Sequence, residues 1–456
     1  MLSKNIAGFF GLENLFFSIF VLTWGIVSCS VNAIIYGSNL SDYEVGSSLL
    51  SSGFSYPMSY PMWGYPITAA IFANKLLFVQ FIILFLTLLF WRMTLSKLII
   101  WKSSSNLNLI KKEFICSILL LPIIILATSY TNYGICYILL FGATWSLYYG
   151  VKSEKGLMYF ALPGVLFGLS YNFRTEIFLI FLILLIVTFI YMFTAGTKVI
   201  ALKKLLILIF ASAILLTPYQ IYGKKTLGHM SLFTSNGGGV AYLGLGALKS
   251  NPWQIIPSDQ YVSRIASENG YESPWSIHAN KFFMELFFKS VVAEPVAFSE
   301  RVLFGSLNVL SNSFYLPNLR RIFSNSENDY KNIDFLNESI RKSLHMNYNR
   351  QEYDSYVKSG TLLKSNKIFM VLILLFEYLI KLFYFFAFIY LLFNFFVYYK
   401  YNDKFLSLIV TSQIFFTFAL GSAVQSTAAH TTMLLPLLVS TLIIRKQYTH
   451  PVSGMD

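Results

Sequence analysis

Ten mostly apolar runs, each near the length of a membrane span, divide this 456-residue chain at about 14–36, 76–91, 114–130, 133–149, 157–173, 177–194, 205–221, 370–398, 405–420 and 427–444. A bilayer core takes roughly 20 apolar residues per crossing helix. Lipid offers no water to unpaired backbone groups, so helices of this kind are the expected form. A chain that is 56% hydrophobic and 12% charged could not bury so much apolar surface in a water-soluble core. The expected fold is an all-α polytopic membrane protein with about ten spans.

The formal charge of +13 would suit nucleic acid, but its placement argues otherwise. Lysines and arginines collect in the connections 92–112, 152–155, 198–204 and 400–404, which alternation of the spans puts on one side. The positive-inside rule makes that side cytoplasmic, with both termini there. Loops 37–65, 131–132, 174–176 and 421–426 then face outward, and Arg174 is their one basic residue. In 222–366 acids and bases nearly balance, so no basic face for nucleic acid is expected. Cys29, Cys116 and Cys136 all fall inside apolar runs, away from any disulfide framework or metal knuckle. His229, His278 and His345 are scattered without zinc spacing, and no metal or cofactor is expected. The box before Cys29 resembles a lipoprotein cleavage site, but the run that holds it reads as an uncleaved first span.

The first outward loop, 37–66, carries the chemistry-bearing pattern. Asp42 and Glu44 stand there with no lysine or arginine, followed by a Ser/Gly-rich turn and then Tyr56, Pro57, Tyr60, Pro61, Trp63, Tyr65 and Pro66. The spacing predicts a short interfacial helix starting near Ser41, which would hold both acids near the headgroups. The aromatics fit an interfacial belt, the prolines stiffen the re-entry, and 67–75 reads as a second surface piece before the span. A carboxylate at that depth can serve as general base toward a lipid-linked substrate. The competing reading is a polar loop whose acids stay in water.

Three parts follow: an N-terminal membrane module over 1–221, an extracytoplasmic segment over 222–366 of mixed structure, and C-terminal spans over 367–456. The middle part opens on Asn236 and Gly237 to Gly239, and its KFFMELFFKSVV is apolar nearly all round, so it is buried or lies on the bilayer. In the long run 370–398, Glu377 and Lys381 are four apart on one helical face and can pair. A role for Lys381 at a substrate phosphate stands beside that structural one.

Four stretches, in order, carry a resemblance: SDYEVGSSLLSSGFSYPMSYPMWGYPI, GLSYNFRTEIFLI, TPYQIYGKKTLGHMSLFTSNGGGVAYLG and AHTTMLLPLLV. Together they resemble the GT-C superfamily of integral-membrane glycosyltransferases, in the branch of protein O-mannosyltransferases and aminoarabinose transferases. The resemblance implies inverting transfer of a sugar from a polyprenyl-phosphate donor to an acceptor hydroxyl on the outer face. It places the general base on Asp42, with Glu44 second because the acids here are separated by a residue rather than adjacent. A cation should neutralise the departing phosphate, which falls to Arg174, with Lys75 and Lys381 behind it. Glu176 would orient Arg174, and Tyr60, Trp63, Asn236 and His430 would support substrate. Tyr219 stands where the family often has Trp, and His430 where it has an Arg-Tyr pair. The acceptor is a glycan, a lipid or a protein, the partner surface is the bilayer, and the location is a bacterial inner membrane. A polysaccharide polymerase or ligase is the alternative within enzymes. A transporter or lipid flippase is the alternative outside them, although the inverted repeats that it would show are not visible in the chain.

Overall fold

The computed structural model describes residues 12–36, 40–55, 63–98, 117–129, 131–153, 156–195, 198–227, 230, 232, 236–246, 248, 250–311, 367–420 and 428–445. Among them every regular element is a helix. The membrane module runs α1 (Leu12–Tyr36), α2 (Leu40–Ser51), α3 (Gly64–Phe72), a 3-10 turn (Ala73–Lys75), α4 (Leu76–Leu98), α5 (Leu121–Ala127), α6 (Asn132–Lys152), α7 (Ala161–Tyr171), α8 (Ile177–Ala195) and α9 (Lys198–Leu227). The next segment holds α10 (Gly237–Leu245), α11 (Asp259–Glu268), α12 (Ile277–Ala293) and α13 (Pro295–Ser311). The C-terminal part is α14 (Lys367–Val397), α15 (Lys404–Phe415) with a π-helical extension (Phe416–Leu420), and α16 (Ala428–Arg445).

Among the described residues, five helices rather than the expected ten or so are long and apolar enough to cross a bilayer: Leu76–Leu95, Asn132–Lys152, Ile177–Thr194, Lys198–Thr226 and Tyr378–Val397. Four shorter apolar helices, Leu15–Ser30, Ser117–Ala127, Leu157–Tyr171 and Lys404–Phe418, pack with them. The chain is therefore a membrane protein whose described elements are all helices.

Helix α6 is the axis. Residues from Gly134 through Gly150 are buried, and α4, α5, α7, α8, α15 and α16 all touch it. Between helices in lipid no hydrophobic force selects the partner, so small residues and polar contacts decide the packing. The buried aromatics show this in their polar tips. Trp91 Nε1 donates to Ser440 Oγ at 2.9 Å, Trp145 Nε1 to Thr94 Oγ1 at 2.6 Å and Tyr384 OH to the Ile118 carbonyl at 2.8 Å. At the far end of α6, Lys152 Nζ lies 2.5 Å from Asp403 Oδ2 and 3.3 Å from Tyr191 OH. The other carboxylate oxygen of Asp403 caps α15 by accepting from Leu406 N at 3.0 Å. The Lys152–Asp403 pair thus ties α6, α8 and α15 together.

Small residues set the pairing of α7 with α9. A Cβ at Gly164 would sit 2.5 Å from the Leu208 carbonyl oxygen, and one at Gly168 would sit 2.7 Å from Leu215 Cβ. Ser212 Oγ uses that proximity to donate to the Gly164 carbonyl at 3.1 Å.

Two boundaries differ from expectation. Helix α9 includes Lys198, Lys203 and Lys204, where a connection is expected, and runs six residues past 221 to Leu227. Long lysine stems can lie along apolar surface while their heads leave it, and Lys204 Nζ sits 5.0 Å from the Phe160 ring centroid. At the other end Lys224 and Lys225 occupy the last turn, where the helix dipole favours cations. The described part of 222–366 is helical rather than mixed.

Replacing Gly164 by Val should force α7 off α9 and cost about 1–3 kcal/mol, the usual range for overpacking. Thermal unfolding in detergent measures this, with Gly156→Ala, which has open space around its Cβ position, as the neutral control.

Candidate functional site

Helix α2 forms over the stretch predicted from the first loop and carries both acids in its first turns. Asp42 is half-buried and Glu44 exposed, and Ser48 Oγ donates to the Glu44 carbonyl at 2.9 Å. Tyr43, Leu50 and Phe54 expose apolar surface beside them, as a helix lying at a lipid surface would. The chain turns back through Gly53 (φ 58°) and Phe54 (φ 62°). Helix α3 then packs on α2 so closely that a Cβ at Gly46 would overlap the Pro66 carbonyl.

Trp63 and Gly64 join this loop to the turn 172–176. Trp63 Nε1 donates to Asn172 Oδ1 at 2.5 Å, and Gly64 N donates to the Asn172 carbonyl at 2.9 Å. A Cβ at Gly64 would clash with that same carbonyl, so only glycine permits the approach. Asn172 Nδ2 in turn donates to the carbonyls of Gly168 (2.8 Å) and Leu215 (3.0 Å). Around the indole stand Phe54, Tyr222 and Tyr219, with ring centroids 5.6, 5.5 and 5.7 Å away. Tyr171 packs on Tyr219 and sends its OH to the Leu232 carbonyl at 2.9 Å. Gln220 Nε2 donates to that hydroxyl at 3.1 Å.

Two residues beyond Asn172, Arg174 Nε donates to Glu176 Oε1. Its guanidinium lies over the Tyr133 ring, 3.8 Å from the centroid, and Nη1 donates to Asn132 Oδ1 at 3.4 Å. Burial alone would lower the Arg174 pKa, but the Glu176 charge, with lesser help from Tyr133, Tyr137 and Cys136, holds it above the ordinary arginine value. The cation is therefore permanent. Nη2 makes no hydrogen bond among the described residues, so part of the fork is open to an anion.

A crevice of only about 10 Å³, room for a single water, lies between α7, α8 and α9, lined by Phe167, Tyr171, Ile177, Phe178, Phe181, Ser212 and Leu216. Tyr171 belongs both to the crevice and to the aromatic cluster around Trp63.

The structure thus brings Trp63, Arg174 and Glu176 into one constellation. Asp42, Glu44, Lys75 and Lys381 are not among the groups that touch Arg174 in the described residues. Lys75 is exposed on the 3-10 turn before α4, and Lys381 Nζ lies 5.4 Å from the Tyr378 ring centroid within α14. Asn236 precedes α10 and accepts there from Val240 N at 3.0 Å through its carbonyl. His430 is helical within α16, but its side chain, like that of Glu377, lies outside the described residues, as does all of Tyr60. No group of three or more His, Cys, Asp or Glu able to hold a metal occurs among the described residues. Sequence reasoning missed Asn172, Asn132 and Tyr133. Asn172 sits inside the SYNFRTE stretch but bears no charge to mark it.

Comparison with protein-family models, curated proteins and solved structures finds no match.

Asn172→Ala should release Trp63, leaving its indole N–H without that acceptor, and remove a donor from the Gly168 and Leu215 carbonyls, at a cost of about 1–3 kcal/mol. Limited proteolysis of the purified protein reads it as faster cutting within 37–62 than in wild type. Equal cutting in both would show that the backbone bond from Gly64 holds the loop alone.

Proposed function

We propose that this chain is an inverting, GT-C-type glycosyltransferase that moves a sugar from a polyprenyl-phosphate donor to an acceptor hydroxyl. The observation that carries the reading is the hooking of the acid-bearing first loop, through Trp63 and Gly64, onto the turn that presents Arg174. The fold in this reading has about ten spans. It lies in a bacterial inner membrane with 37–66 and 172–176 on the outer face, and its acceptor is a protein, a glycolipid or a growing polysaccharide.

In the reaction, the Asp42 carboxylate takes the proton of the acceptor hydroxyl as its oxygen attacks the anomeric carbon. The bond from that carbon to the phosphate oxygen breaks in the same displacement, which inverts the configuration. The electron pair leaves on the polyprenyl phosphate, where Arg174 neutralises it. Glu176 and Tyr133 keep the guanidinium planar to its site, so little reorganisation is needed as charge develops. Glu44, one residue removed and exposed, is the second candidate base. Lys75 and Lys381 stand behind Arg174 as cations for the donor phosphate, and Tyr60, Trp63, Asn236 and His430 as supporting positions for substrate.

The test is transfer from a radiolabelled polyprenyl-phosphate sugar in proteoliposomes. Asp42→Asn should lower turnover about 10²–10⁴-fold, the usual weight of a positioned base. Arg174→Gln should lower it about 10²–10³-fold, as for loss of one charge-stabilising donor. Wild-type rates in both Asp42→Asn and Glu44→Gln would remove the first loop from the chemistry.

A further inference from the structure

Far from Arg174 in sequence, α13 carries a buried arginine that the transfer reaction does not use. Arg301 keeps 6% of its surface exposed, and its Nε donates to the Gly244 carbonyl at 2.5 Å. Its two Nη groups make no hydrogen bond among the described residues, and no carboxylate pairs with it there. Glu294 and Glu300, nearest along the chain, are exposed to solvent. Burial without a counter-charge pushes the Arg301 pKa down from the ordinary arginine value, yet a guanidinium stays charged in any protein.

Gly244 lies in the last turn of α10, where the helix dipole supplies only about half a negative charge. A buried charge of that kind ordinarily has a full partner. One turn along α13 from the guanidinium, Phe304 is 39% exposed, and Leu303 beside it is 59% exposed. Ser306 Oγ donates across to the Phe418 carbonyl in the π-helical stretch at 3.1 Å, so this part of α13 is fixed to the C-terminal spans. A cation with no counter-ion among the described residues, one turn from the open Phe304 ring and against membrane helices, is suited to an anionic amphiphile.

We propose that Arg301 forms a second anion site, separate from Arg174, that takes a phosphate ester in bidentate contact with its Nη groups. Phe304, one turn along and exposed, favours a lipid as the source of that phosphate. The site does not depend on the transfer reaction.

The competing reading makes Arg301 only a cap for α10. Arg301→Gln separates the two, because the amide can still donate to the Gly244 carbonyl but carries no charge. Binding of dihexanoyl phosphatidic acid, dihexanoyl glycerol and inorganic phosphate is measured by calorimetry on the full chain in dodecyl maltoside. Wild type and Arg174→Gln serve as parallel backgrounds, so that a phosphate held by Arg174 is told apart. In both, Arg301→Gln should weaken phosphatidic acid binding roughly 10- to 100-fold, the worth of charged hydrogen bonds. Its thermal midpoint without ligand should not fall. Inorganic phosphate bound as tightly as phosphatidic acid would support the site with a soluble source. Unchanged affinity in Arg301→Gln, or binding of dihexanoyl glycerol as tight as that of phosphatidic acid, would overturn the proposal. Should the Gln variant fail to fold, Arg301→Lys keeps the charge without the fork and should lose several-fold in affinity, whereas a cap alone would lose none.

Discussion

The side chain and carbonyl of Asn172 hold the candidate site together. Its Oδ1 takes the Trp63 indole, its backbone carbonyl takes the Gly64 amide, and its Nδ2 holds the carbonyls of Gly168 and Leu215. An asparagine side chain has two donors and one acceptor atom, and all of them are engaged here. Each bond alone is worth about 1 kcal/mol net, but leaving such groups unpaired away from water costs more than making them gains. The network therefore fixes geometry more than it adds stability. It sets where the re-entering first loop can lie, and by the Gly46–Pro66 contact it sets the position of α2 as well.

The electrostatics of the neighbouring turn follow from the same restraint. Arg174 and Glu176 are both about a quarter exposed, so their attraction is partly screened and the pair is not a large source of stability. Its effect is orientation. Glu176 takes Nε, Asn132 takes one Nη1 proton and Tyr133 covers one face, which leaves Nη2 as the side of the fork able to meet an incoming anion. An anion there would share the cation with Glu176 rather than displace it. That arrangement suits a phosphate whose charge grows during departure better than one already bound tightly.

Five spans among the described residues were legible by length and hydropathy, while four of the ten expected runs form shorter apolar helices. The short helix of the first loop was legible from its apolar residues among Ser and Gly, although it begins at Leu40 and so takes in Ser41, the expected cap. The Arg174–Glu176 pair was legible too, since two charges two residues apart in an otherwise apolar stretch must answer to each other. The joins were not. Trp63 and Asn172 lie 109 positions apart, and nothing local in either marks the other. The same holds for Lys152, which reads as a basic connection residue, and Asp403, which nothing local marks; together they lock three helices. The length of α9 was misjudged because lysines were taken to end a helix, when their stems extend it. Gly164 and Gly168 look permissive in sequence, but in the structure they are places where a second backbone occupies the space of a side chain.

A chain of contacts accounts for how acids on a surface helix can be aimed at all. α2 alone would be a short helix with few core contacts, free to slide on a lipid face. Leu49 anchors it, fully buried against the Tyr171, Tyr219 and Tyr222 cluster, and Gly46 seats it on α3. From α3 the restraint passes through Gly64 to Asn172, and from Asn172 into α7 and α9, whose pairing is set by glycines. The acids and the cation are thus referred to one pair of packed helices, although the residues that carry them lie in separate parts of the chain. Catalytic groups need placement to within a fraction of an ångström, and short surface helices gain that only by being hooked to a packed scaffold in this way.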